Sequence, residues 1–129
     1  MTAIAQGQTV QDQTVYLNGE FMPLSEAKVP VLDRGFIFGD GVYEVAPAYQ
    51  GIPFRWPQHL ARLKRSLARI RIHNPLDDAG WTGLVTDLLA RHPWRDQFVY
   101  LHVTRGVARR DHAFPAEAAP TVFAMSSEF

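Results

Sequence analysis

The sequence predicts an α+β fold, an antiparallel sheet of about six strands packed with two helices. Two observations carry that expectation. Short runs suited to strands recur in pairs joined by hairpin-length turns, and two mid-chain stretches repeat apolar residues at steps of three and four.

The first pair of strands is Val15–Asn18 and Glu20–Leu24, on either side of Asn18-Gly19, a dipeptide that readily takes the positive φ of a tight turn. Residues 1–13 are expected to form a flexible segment, so that the domain runs over 14–129. A loop, SEAKVPVLDRGFIFGDG, leads into a strand over Val42–Tyr49, and Gln50-Gly51 returns the chain into Ile52–Arg55. Pro47 has no N–H for a ladder, so its strand lies at an edge or carries a bulge. In PQHLARLKRSLARIRIH the residues Leu60, Leu63, Leu67 and Ile70 make one apolar stripe, and Pro57 suits the first helical turn. In DDAGWTGLVTDLLARHP a second stripe is made by Trp81, Leu84, Val85, Leu88 and Leu89. Asp77 or Asp78 caps its start, Pro93 marks its end, and Gly80 and Gly83 weaken it. Phe98–Thr104 alternates, with Val99, Leu101 and Val103 on one face and Tyr100 and His102 on the other. The loop RGVARRDHAFPAEAAP separates it from a last strand, Thr121–Ser126.

At 129 residues the chain has the size of one domain. Thirteen basic and thirteen acidic residues cancel, a poor balance for a dedicated nucleic-acid binder, although Arg is strongly favoured over Lys. The absence of cysteine excludes disulfides and thiolate chemistry. No apolar run reaches the length of a membrane span, and the start MTAIAQGQTVQDQ lacks the regions of a secretory signal. A cytoplasmic protein with neither a membrane nor a nucleic-acid partner is expected.

The stretch DRGFIFGDGVYEV holds Gly35, Gly39 and Gly41, which implies unusual backbone or a close approach. It lacks the Lys-Ser/Thr of a phosphate-binding loop and leads into a strand rather than a helix, so a dinucleotide site is excluded. Tyr43 and Glu44 fall on opposite faces of the strand. Tyr43 can donate to a ligand carboxylate or pack in a core or interface. His59 and Arg62 sit one turn apart beside the apolar stripe of the first helix; Arg62 can fork onto an anion such as phosphate, or lie over the core with its head in water. Arg65, Arg69 and Arg71 are expected to face solvent. Arg105, Arg109, Arg110 and His112 share one loop, where Arg110 and His112 can converge on a carboxylate if the loop is extended; a solvated basic loop is the alternative. No spacing of the five histidines suggests a metal site or a catalytic pair. The residues by themselves reach an α+β domain with an anion site, and leave open a stand-alone dimerising or anion-binding module.

Three motifs in order resemble the class IV (fold type IV) pyridoxal-phosphate aminotransferases: DRGFIFGDGVYEV, HLARL at His59–Leu63, and VTRG followed by Arg110-x-His112-x-Phe114-Pro115. The similarity extends from about Val15 to the end of the chain, and VYEV with the Arg-x-His pair is closest to the D-amino-acid branch. The branched-chain and aminodeoxychorismate lyase branches are the alternatives. The resemblance implies the small N-terminal domain of such an enzyme. It implies Arg62 as the ligand of the pyridoxal 5'-phosphate phosphate group, and Tyr43, Arg110 and His112 as the trap for the substrate carboxylate. It also implies a homodimer in which the Arg/His loop reaches the neighbouring subunit's site, acting on amino acid and 2-oxo acid substrates. In that family a lysine holds the cofactor as a Schiff base. Neither Lys28 nor Lys64 stands at its position, so no catalytic residue is expected within these 129 residues, which by themselves are expected to be inactive.

Overall fold

The computed structural model describes residues 13–129. Six strands form one antiparallel sheet in the order β2-β1-β6-β5-β3-β4: β1 Thr14–Leu17, β2 Glu20–Pro23, β3 Gly41–Tyr49, β4 Ile52–Pro53, β5 Asp96–Thr104 and β6 Thr121–Glu128. Among the described residues three α-helices accompany them, α1 Arg34–Phe38, α2 Trp56–Arg69 and α3 Asp78–Ala90. The expected α+β sheet is present, with one helix more than the two expected. The expected flexible segment lies outside the described residues except for Gln13, whose carbonyl accepts from the Leu24 N–H at 2.8 Å.

The extra helix, α1, has five residues, too few for a periodic stripe. It is set by its ends. The Asp33 carboxylate accepts from the Gly35 N–H at 2.8 Å, and Gly39 closes the helix at φ 66°, a left-handed conformation that favours glycine.

The centre of the sheet is β3–β5–β6. Its register sets Glu44, Leu101 and Ala124 side by side, and likewise Ala46, Val99 and Ser126. This face carries the core with α2 and α3: Leu60, Leu63 and Leu67 from one helix and Trp81, Leu84, Val85, Leu88 and Leu89 from the other are buried. Truncating a leucine so placed costs about 2–5 kcal/mol. Asp77 caps α3, accepting from the Gly80 N–H at 2.7 Å. The helix α2 ends at Arg69, before the end of the stretch PQHLARLKRSLARIRIH, because Arg71 turns to φ 60° and Ile72 enters the core.

Among the described residues β3 has no outer neighbour along most of its length, since β4 pairs only with Ala48 and Tyr49. Pro47 therefore sits at an edge without a bulge, and its outward carbonyl accepts from the Phe54 N–H at 2.7 Å. The opposite sheet face, with Tyr43, Val45, Tyr100, His102 and Phe123, is only partly covered.

Candidate functional site

Strand alternation turns Glu44 inward, toward α2, and leaves Tyr43 exposed on the other face. A carboxylate on an apolar face needs partners, and α2 supplies two from successive turns. Arg62 donates from Nε to Glu44 Oε2 at 2.7 Å and from Nη2 to Oε1 at 2.9 Å, and His59 Nδ1 lies 3.0 Å from Oε1. Burial pushes the Glu44 carboxyl up, but Arg62 and His59 outweigh it and hold it below the ordinary value. The Glu44 side chain is 4% exposed and that of Arg62 59%. The fork thus orients a guanidinium whose Nη1 edge is not used by Glu44. Glu44 in turn raises the Arg62 pKa above its ordinary value. Beside them a basic hollow of about 280 Å³ is lined by Arg55, Gln58, His59, Arg62 and Arg65.

Tyr43 is also one of a row of rings on the exposed sheet face. Its centroid lies 6.0 Å from that of Tyr100, and Tyr100 lies 5.8 Å from His102. Burial lowers the His102 pKa, a nearby Asp33 partly opposing it. A cavity of about 320 Å³ opens at the end of this row, bounded by His102, Thr104, Phe123 and Phe36.

Arg110 and His112 are exposed and meet at the ring of Phe38, at the end of α1. The Arg110 guanidinium carbon is 5.5 Å from that ring's centroid and the His112 ring 5.7 Å. They are brought to each other, but no hydrogen bond or ring contact among the described residues joins them to Tyr43 or Arg62. Arg105 departs from the solvated basic loop in which the sequence placed it. It is buried, forks onto Asp40, and donates to the carbonyls of Ile70 and Arg71 at 2.7 and 3.0 Å. Arg65, Arg69 and Arg71 are exposed, as expected, and so is Arg109. Lys28 is exposed, and Lys64 pairs with Asp78 of the next helix at 3.0 Å.

The family model described as amino-transferase class IV matches residues 41–129, the span that holds Tyr43, Glu44, Arg62, Arg110 and His112. The chain belongs to that family. Among class IV relatives, a D-alanine aminotransferase of Bacillus licheniformis is 43% identical over 110 residues, which is 85% of this chain and 39% of that protein. A 4-amino-4-deoxychorismate lyase from Pseudomonas aeruginosa superposes with a TM-score of 0.71 at 33% identity, over 88% of this chain and 39% of the other. A branched-chain amino acid aminotransferase from Escherichia coli superposes at 0.85 over 92% and 41%; its 19% identity speaks for the fold alone. This class IV chain spans about two-fifths of the length of these relatives.

Sequence reasoning singled out Tyr43, Arg62, Arg110 and His112, all of them exposed, and missed Glu44 as the partner that orients Arg62. A signal was present. Val42, Glu44, Ala46 and Ala48 share one face, and a single acid among such residues calls for a cation opposite.

Proposed function

We propose that residues 14–129 form the small domain of a pyridoxal-phosphate-dependent aminotransferase. The enzyme moves an amino group from a D-alanine-like D-amino acid to a 2-oxo acid, as a cytoplasmic homodimer. The observation that carries this reading is the 43% identity to a D-alanine aminotransferase over 110 residues, 85% of this chain. The site geometry fits the cofactor. Arg62 is held by Glu44 through Nε and Nη2, which leaves Nη1 unused by Glu44, beside further arginines, and a phosphate dianion matches that donor set. Bound there, pyridoxal phosphate supplies the electron sink that makes amino transfer feasible.

The roles left to this chain are binding and orientation. Glu44 fixes the plane of the Arg62 guanidinium, so the anion meets a donor that does not have to reorganise. Tyr43 offers a hydroxyl from the exposed face of a rigid strand. Arg110 and His112, which no hydrogen bond or ring contact among the described residues joins to Tyr43, complete the carboxylate trap when supplied by a second copy. Lys64 is engaged by Asp78, and neither it nor Lys28 is assigned the proton carrier's role.

In the intact protein, Arg110→Ala is expected to lower kcat/KM for D-alanine by about 1.5–3 kcal/mol, the range for a charge-assisted hydrogen bond. An unchanged kcat/KM removes Arg110 from the site. The 33% identity to a deoxychorismate lyase favours a second reading, elimination on the same cofactor. Pyruvate release from aminodeoxychorismate, without amino transfer to 2-oxoglutarate, would establish it.

A further inference from the structure

Asp40 lies between Gly39 and Gly41, at a point where the class IV reading gives it no role, and it is nearly enclosed. The side chains of Arg34, Asp40 and Arg105 are 5%, 12% and 8% exposed. Arg34 Nε donates to Asp40 Oδ2 at 2.8 Å; Arg105 donates to Oδ2 from Nε at 2.6 Å and to Oδ1 from Nη2 at 3.1 Å. Two buried guanidiniums on one carboxylate leave a positive excess, and backbone carbonyls absorb it. Those acceptors connect distant segments. Arg105 takes the carbonyls of Ile70 and Arg71, where α2 ends, and Arg34 Nη1 takes the carbonyl of Asp111 at 2.6 Å.

Asp111 is the residue between Arg110 and His112. Two positions after His112, the Phe114 ring lies under the Arg105 guanidinium at 3.6 Å. The two arginines therefore grip the loop on either side of His112, one by its backbone and one by a ring. Phe38, against which Arg110 and His112 rest, is itself covered by Arg34 at 4.7 Å.

We propose that Asp40 is a positioning residue for substrate recognition: through Arg34 and Arg105 it holds the Arg110–His112 loop in the conformation that presents both cations to a carboxylate. The proposal rests on the reading of Arg110 and His112 as the carboxylate trap. It also ties that loop to α2, whose earlier turns carry Arg62, so the trap and the phosphate ligand share one anchor.

The test has two arms, both on the intact protein. In the first, trypsin cleavage after Arg109 and Arg110 is timed. Asp40→Asn and Phe114→Ala are each expected to speed it by about tenfold or more, with cleavage after Arg65, inside α2 and away from the carbonyls that Arg105 holds, unchanged. Phe114 is exposed, so its truncation keeps the test alive if Asp40→Asn does not fold. In the second arm, Asp40→Asn is expected to raise KM for D-alanine by about tenfold with kcat within about threefold. That penalty shrinks to within about twofold in an Arg110→Ala background, because one interaction cannot be lost twice. Asp40→Glu is expected to recover part of the KM. Unchanged cleavage in both variants, or a KM penalty that persists undiminished without Arg110, overturns the inference. If Arg110→Ala alone leaves kcat/KM intact, the functional reading fails instead, and the cleavage arm still decides whether Asp40 anchors the loop.

Discussion

Substituting Gly106 by alanine tests how tightly the Arg/His loop is tied to the end of β5. Gly106 follows Arg105, takes φ 105°, and its carbonyl accepts from the Arg34 N–H at 2.8 Å. A methyl group there falls inside contact distance of the Ala119 carbonyl oxygen and 2.9 Å from its carbon. Two penalties add. The left-handed backbone costs alanine about 1–2 kcal/mol, and forcing packed backbone apart costs about 1–3 kcal/mol more. The expected loss is about 2–5 kcal/mol. With a slope of about 2 kcal/mol per M, the urea midpoint falls by about 1–2.5 M. Gly39→Ala is the control, since Gly39 also has positive φ, 66°, but opens on empty space. It loses only the conformational share, about 1–2 kcal/mol. If Gly106→Ala costs no more than Gly39→Ala, the close approach to Ala119 is not holding this loop, and the reasoning fails.

Gly83→Ala is expected to stabilise the protein by about 0.5–1 kcal/mol in the same titration, because Gly83 lies within α3 with nothing near its missing methyl; a loss of stability would contradict this. Acidification is expected to destabilise in two stages. Burial lowers the pKa values of His92 and His102, so the unfolded chain takes protons first, and stability falls below about pH 6.5. Asp40 and Glu44 follow. In each, burial raises the pKa, but their cationic partners outweigh it and hold the carboxyl below its ordinary value. Their contribution is present above about pH 4 and is lost as pH falls further. A urea midpoint at pH 5 equal to or above that at pH 7.5 would overturn the sign of this account.

Much of the frame was legible because it follows local periodicity. The alternation of Val99, Leu101 and Val103 against Tyr100 and His102, the Asn18-Gly19 hairpin and the two leucine-rich stripes each signal a buried face within a few residues. What escaped depends on groups distant in sequence. Asp40 and Arg105 are 65 residues apart, and Arg34 and Asp111 77 apart, so no spacing rule pairs them. Arg105 looked like the first of several loop cations, yet it is buried because a carboxylate, two carbonyls and a ring surround it. The short helix α1 depends on the Asp33 cap and the Gly39 terminus rather than on any stripe. The glycines of DRGFIFGDG serve different ends. A methyl on Gly41 would lie 2.6 Å from the Val103 carbonyl oxygen, so Gly41 allows close pairing of β3 with β5; Gly39 provides the left-handed turn that ends α1.

The central claim is that these anion-binding groups serve amino transfer from D-amino acids. The direct measurement is the rate at which the intact protein, supplied with pyridoxal phosphate, converts 2-oxoglutarate to glutamate with D-alanine or with L-leucine as donor. The account predicts transfer with D-alanine, with kcat/KM exceeding that for L-leucine by about 100-fold or more. A protein that transfers from L-leucine and not from D-alanine, or from neither donor, would contradict it.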